Sequence, residues 1–355
     1  MKTLTELKQW QSYAPANTMI LGEHSVVYGY PALACALDQF IQINWQQRRD
    51  SEIHIQSALA NHQTTLNELA SHPKLAFVMQ TLKVFQSQLP FGLNIEIKSD
   101  FSSTIGLGSS AAVLAAMLSG LNSITEQKLS ILELFELGHS IILKIQGRGS
   151  GTDLAASLAG GVIYFKPKFD LQPSPVIENL SLSFPLSLIY AGYKTPTSQV
   201  LALVAEQWQA QPKQLAQIYQ AMGKTTEHAY SVLQRFSHEA ESKPENSPGN
   251  QAASATLTEF YASFNHYQDL MDQLGVNDET LKKLIDNLTQ CQNIHAAKIS
   301  GSGLGDCVIA IGKQDHCPTS VTQVLQNYQQ IQVNISKLGA STKIIKPNNE
   351  SHQHG

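Results

Sequence analysis

The chain has 355 residues, 42% of them hydrophobic and 15% charged, with a formal net charge of −4. That length supports two domains, or one large domain with insertions, and the mild acidity argues against nucleic acid as the main partner. No apolar run approaches the roughly 20 residues of a membrane span, Met1–Gln11 carries no apolar signal-peptide core, and Lys and Arg form no polybasic block.

In chain order, Thr18–Leu21 is a short apolar run that reads as a central strand. Period-2 alternation in Ile41–Trp45, Ile53–Ile55 and Leu93–Ile97 predicts half-buried strands. Helical spacing follows in Leu75–Leu89, Ala111–Leu121 and Ile131–Ile145, then a strand in Val162–Phe165. A second region starts near Leu182, with a strand at Leu186–Tyr190 and helices at Ser198–Gln209 and Lys213–Arg235. Ser237–Ala255 is rich in Glu, Ser, Pro, Asn and Gly and reads as a mobile loop. Helices resume at Thr256–Leu274 and Thr280–Cys291, and strands at Val308–Ile311 and Ile331–Ile335 flank a helix near Ser320–Tyr328. Strands and helices without strict βαβ alternation indicate an α+β class. The cysteines Cys35, Cys291, Cys307 and Cys317 form no C-x-x-C pair, and the twelve histidines form no ligand set. A reduced, cytoplasmic protein without a structural metal is expected, and a homodimer is compatible with the sequence.

Four loops carry the chemistry. Thr104-Ile105-Gly106-Leu107-Gly108-Ser109-Ser110-Ala111 turns from a strand-like run into a helix. Its glycines permit a tight turn and close ligand approach, and a helix N-terminus favours phosphate. Ser109 and Ser110 could cap the helix, donate to an oxygen or ligate Mg²⁺; an ordinary capped turn is the plainer alternative. The chain has no G-x-x-x-x-G-K-[ST] and no protein-kinase H-R-D or D-F-G element. Upstream, Ala14–Gly29 delivers Glu23, His24 and Ser25 from a strand end into a loop, either to meet a polar ligand or simply to be solvated. Gln146–Ala156 places Asp153 at a helix start after three alternating glycines, as a functional carboxylate or a helix cap. Arg148 in that loop is either a phosphate ligand or a solvated residue. Lys298–Cys307 is a glycine-rich loop whose amides could form an anion nest, or a tight turn, before an apolar strand.

In this order and at these separations the four motifs resemble the GHMP kinases, a family that includes galactokinases, homoserine kinases, mevalonate kinases and phosphomevalonate kinases. The resemblance covers roughly Ala14 to Ile311. It implies a two-lobed α+β fold, with a ribosomal protein S5 domain 2-like N-terminal lobe over residues 1–181. An α/β-sandwich C-terminal lobe over 182–345 and a disordered tail at 346–355 would complete it. ATP and Mg²⁺ would bind in the cleft, the phosphates over Gly106, Leu107, Gly108, Ser109, Ser110 and Ala111, with Ser110 on the metal. Asp153 matches the catalytic aspartate that accepts or polarises the substrate hydroxyl proton. Glu23, His24, Arg148, Lys194, Thr197, Ser198, Gly301 and Ser302 would line the substrate side.

The chain departs from the family pattern in two places. Asn17 stands among the catalytic positions where mevalonate kinases carry Lys, with Arg148, Lys194 and Lys298 as candidate replacements. Ile142 stands where those enzymes commonly place a Mg²⁺-binding Glu, about three helical turns before the Asp. Gly22–Gly29 with Pro31-Ala32-Leu33 looks closest to mevalonate kinases, whereas Gln146–Ala156 and Gly305-Asp306-Cys307 look closer to phosphomevalonate kinases. The expectation is ATP- and Mg²⁺-dependent phosphorylation of the mevalonate hydroxyl, in isoprenoid-precursor synthesis. Alternatives are a phosphomevalonate kinase, an ATP-consuming diphosphomevalonate decarboxylase-like lyase, and a non-catalytic nucleotide sensor.

Overall fold

Two long antiparallel strands, β1 (Gln9–Leu21) and β2 (Ala32–Gln47), form the spine of the first sheet. They are followed by β3 (Glu52–Ser57), β4 (Asn61–Thr65), α1 (Ala76–Phe85), β5 (Leu93–Ser99), α2 (Ser109–Ile124), α3 (Ile131–Gln146), α4 (Thr152–Ala159), β6 (Val162–Lys166) and β7 (Val176–Asn179). The second lobe contains β8 (Leu186–Tyr190), α5 (Thr197–Gln207), α6 (Pro212–Glu241), α7 (Asn250–Leu274), α8 (Glu279–Leu288), β9 (Ile294–Ser300), β10 (Cys307–Gly312), α9 (Thr319–Leu325) and β11 (Gln329–Ile331). A last strand, β12 (Ser341–Ile345), returns to the first sheet. This computed structural model describes residues 7–102, 105–170, 172–241 and 250–345. Thr104 of the glycine loop, the centre of the expected 237–255 loop and the 346–355 tail lie outside the described residues.

The first sheet runs β12-β1-β2-β5-β3-β4, and among the described residues only β3 and β5 pair in parallel. The two halves of β2 have different neighbours: Ile41–Gln47 pairs with β5, and Ala32–Cys35 with β6. Alternation explains the layering. Ile41, Ile43 and Trp45 are buried, whereas Asn44 joins Gln11 and Glu96 in a polar network. Helices α2 and α4 pack on β1 and β2. Gly120 of α2 makes room for the Trp45 ring, since a Cβ there would lie 2.5 Å from it; the buried Trp45 indole donates to Ser12. The second sheet, β11-β8-β10-β9, is antiparallel and carries α7 and α8 on β9. The lobes meet where β1 approaches β9, and the buried Thr18 and Ser300 hydroxyls lie 2.7 Å apart.

Several expectations need amendment. Helices α6 and α7 reach Glu241 and Asn250, so both extend into the stretch read as a loop. The expected strand Ile331–Ile335 is ladder only to Ile331. Val333 and Ile335 are buried as the chain passes between sheets, and Ile335 makes a single bridge to Leu37. Residues 341–345 pair with β1, so a division at residue 182 leaves them with the first lobe. Cys291 and Cys317 form a disulfide linking the chain after α8 to the segment before α9, against the expectation of reduced thiols. No described helix is long and apolar enough to cross a membrane.

Candidate active site

The glycine loop ends at Gly108, whose φ of 64° places it in the left-handed region as the cap of α2. No side chain caps α2, so the first N–H groups of this 16-residue helix remain for a ligand. Ser110 is exposed there, with Ser109 and Gly106 half-buried and Ile105 and Leu107 buried beneath them. Ala111 is 9% exposed on the inner side. The uncapped helix start fits the phosphates of ATP. The Ser110 hydroxyl fits Mg²⁺, which usually keeps waters and takes few protein ligands beside substrate phosphates.

Asn17 lies directly under this loop. Its amide N–H donates to the Leu107 carbonyl at 3.2 Å, and its side chain donates to Ser157 of α4 at 2.9 Å. Ser157 in turn donates to the Pro15 carbonyl. At 1% exposure Asn17 links the glycine loop to α4 through these bonds. A Cβ on Gly108 would lie 2.2 Å from the Asn17 amide and would also strain the left-handed backbone. Gly108→Ala is therefore expected to cost about 1–2 kcal/mol and to raise KM for ATP, measured by urea melts and initial rates; unchanged stability and KM would show the loop to be slack.

Asp153 occupies the first turn of α4, just after Gly151. Cleft walls surround it, yet the residue stays open to solvent. Burial pushes its carboxyl above the usual aspartate value; Lys194 opposes that shift, and the negative charges of Asp306 and Glu23 add to it. Ile142, at the position expected to lack the metal-binding Glu, is buried with its side chain against Gly149. His139 on the same helix bonds to the Gly149 carbonyl at 2.8 Å.

Glu23 and His24 leave the end of β1 and turn inward, so both are buried. Lys298 of β9 reaches Glu23 Oε1 at 2.5 Å, and both side chains are almost fully buried. Its ammonium also lies over the rings of Phe264 and Tyr267. Burial raises the Glu23 pKa and lowers that of Lys298, while each partner's charge opposes the shift in the other. Tyr267 donates its hydroxyl to the Glu23 carbonyl at 2.7 Å. His24 Nε2 lies 2.8 Å from the Ser302 carbonyl, which makes it the protonated ring nitrogen. Burial pushes the His24 pKa down to about 4, so the ring is neutral at physiological pH. Glu23 Oε2, His24 Nδ1 and Asp306 Oδ1 are buried without a partner among the described residues.

The loop between β9 and β10 joins the lobes. Its Leu304 carbonyl accepts from Thr195, and its Asp306 amide donates to the Tyr193 carbonyl at 2.8 Å. Asp306 pairs with Lys194 at 3.1 Å, and a Cβ on Gly106 would lie 1.7 Å from its Oδ1. Gly301 adopts a φ of 93° as this loop leaves β9. Arg148 donates to the Ser198 carbonyl at 2.9 Å, and Thr197 and Ser198 are exposed at the start of α5. Glu23, His24, Lys298 and Ser302 thus form one cluster, and Lys194, Asp306 and Gly106 a second whose charge reaches Asp153. Arg148 and Ser198 join in a third contact. Sequence reasoning missed Tyr267 and Thr18, which occupy ordinary apolar patterns. It quoted Asp306 within a motif but gave it no role.

An uncapped helix start, a solvent-open carboxylate and inward-turned polar groups are parts that a phosphotransferase centre needs. The GHMP kinase N-terminal domain matches residues 76–161, and the GHMP kinase C-terminal domain matches residues 252–327. A mevalonate kinase of Pyrococcus horikoshii is 29% identical over 325 residues, covering 87% of this chain and 90% of the relative. Among solved structures, a Listeria innocua protein superposes with a TM-score of 0.75 at 19% identity, covering 95% of this chain and 99% of that one. An L. major mevalonate kinase in complex with R-mevalonate superposes with a TM-score of 0.68 at 17% identity, covering 92% and 95%. The chain belongs to the GHMP kinases, and it is a kinase.

Proposed function

We propose that the protein transfers the γ-phosphoryl group of ATP to the hydroxyl of mevalonate. The relationship to the Pyrococcus horikoshii mevalonate kinase supports the acceptor. The observation that carries the reading is the pair of unpartnered buried acceptors, Glu23 Oε2 and His24 Nδ1. A hydroxyl donor on the acceptor molecule would satisfy either of them, and an unmet buried polar atom costs about 1–3 kcal/mol.

The N–H groups at the start of α2 hold the ATP phosphates, and Ser109 adds a hydroxyl. Mg²⁺ bound at Ser110 would neutralise charge on the phosphates. Asp153 takes the proton of the acceptor hydroxyl, and Asn17 keeps the phosphate loop registered on α4. Thr197, Ser198, Gly301 and Ser302 belong to the acceptor side in this proposal. We place the protein in the cytoplasm, although the Cys291–Cys317 bond is unusual for that compartment.

A phosphorylated acceptor would need further free cations. Arg148 is engaged by the Ser198 carbonyl and Lys298 by Glu23, which favours the unphosphorylated acceptor. The test is ADP release with Mg-ATP on mevalonate and on 5-phosphomevalonate, with CO₂ followed in parallel. Turnover on mevalonate without CO₂ is expected; turnover only on the phosphorylated compound, or release of CO₂, would overturn the assignment.

A further inference from the structure

The first motif carries no lysine, and the structure narrows what can replace its charge. Three cations were candidates on sequence grounds. Lys298 is fully buried and paired with Glu23, and Arg148 donates to a backbone carbonyl. Lys194 alone of the three combines an open side chain, 40% exposed, with a partner at the phosphate loop.

That partner is Asp306, and its position is tightly set. Its amide and carbonyl are held by Tyr193 and Ala191, the residues just before Lys194. Cys307, the next residue, pairs with Tyr190 across the β8–β10 ladder, and its thiol donates to the Ile105 carbonyl of the phosphate loop at 3.3 Å. The Asp306 carboxylate packs on Gly106, where the lack of a Cβ is what admits it.

We propose that Lys194, held by Asp306 against Gly106 of the phosphate loop, supplies the positive charge at the phosphoryl-transfer centre that residue 17 does not provide. The proposal rests on the kinase reading above. In the step it serves, the acceptor hydroxyl oxygen forms a bond to the γ-phosphorus, and the bond from that phosphorus to the bridging oxygen breaks. ADP leaves with the bonding pair, and the hydroxyl proton passes to Asp153. Charge that is pre-positioned at such a centre stabilises the transition state without reorganisation. Lys194 also opposes the two carboxylates, Asp306 and Glu23, whose charge acts on Asp153 from the other lobe and from the end of β1. It is thus a positioning residue for Asp153 in its proton-accepting form.

The test compares Lys194→Met and Lys194→Arg with wild type, by steady-state kinetics and by ¹³C-carboxyl NMR titration of Asp153. The Met variant should lose about 100-fold in kcat with little change in KM for ATP, and the Arg variant should recover most of that loss. The Asp153 midpoint should move upward in the Met variant, because the charge that holds it down is gone. A Met variant with near wild-type kcat, or an unmoved midpoint, would overturn the proposal. Failure of the wild type to act on mevalonate would instead refute the acceptor assignment, and the titration, which needs no acceptor, would still decide the role of Lys194.

Discussion

Replacing Asp153 with asparagine is expected to lower kcat by roughly 10²–10⁴-fold, with KM for ATP almost unchanged. In the proposed mechanism the start of α2 holds the nucleotide, which this change would leave intact, whereas proton acceptance by residue 153 would disappear. In the wild type, burial sets the Asp153 pKa above the ordinary aspartate value. The base is therefore lost as pH falls through that raised value, and kcat/KM should decline on its acidic side accordingly. Stability runs the other way. A carboxylate whose folded pKa exceeds its unfolded one favours folding only while protonated, and that contribution vanishes as pH rises past the folded value. Because the residue is open to solvent, that effect is small, and the asparagine variant should be about as heat-stable as wild type at neutral pH. Near-normal turnover would remove Asp153 from the proton-transfer role.

Lys298→Met should be the most destabilising of the substitutions considered, by about 3–5 kcal/mol, because it strands Glu23 as a buried, unpaired charge. The cost belongs to the lost partner rather than to the lost attraction. A second change, Glu23→Gln, should accordingly restore part of the stability, since a buried ion pair replaced on both sides is often close to neutral. Without Lys298 the Glu23 pKa should rise further above its reference of 4.5. Protonated Glu23 is then the form that the folded state prefers. The deficit relative to wild type should shrink as pH falls toward the reference value and grow as pH rises through the folded one. Urea melts of both single variants and the double variant across pH measure this. Additive losses would mean that the two side chains do not depend on each other.

The strands most legible in the sequence were those with one buried face, such as Ile41-Gln42-Ile43-Asn44-Trp45. Asn61–Thr65 gave no signal because it is an edge strand whose side chains are all at least partly exposed. The four loops were readable because each concentrates glycine and hydroxyl residues in a short stretch, and three of the four add a carboxylate. Their mutual arrangement was not. The Glu23–Lys298 and Lys194–Asp306 pairs join residues far apart in sequence, and nothing local marks which lysine meets which carboxylate. Asn17 stands where the resembled enzymes carry lysine, and nothing local to it marks the contacts its amide makes with Gly108 and Ser157. Cys291 and Cys317, 26 residues apart, had no spacing signature to announce their bond.

The return of β12 to β1 sets an order on biosynthesis. The first sheet begins at Gln9, but its neighbour on that side is made only when the ribosome reaches Ile345. Throughout synthesis of the second lobe, the outer backbone groups of β1 have no strand beside them, an open template for pairing with another nascent chain. Lobes that fold one after another during translation would here finish in reverse, the second closing before the first is complete. The first lobe, although translated first, can complete its sheet only after the second lobe has been made.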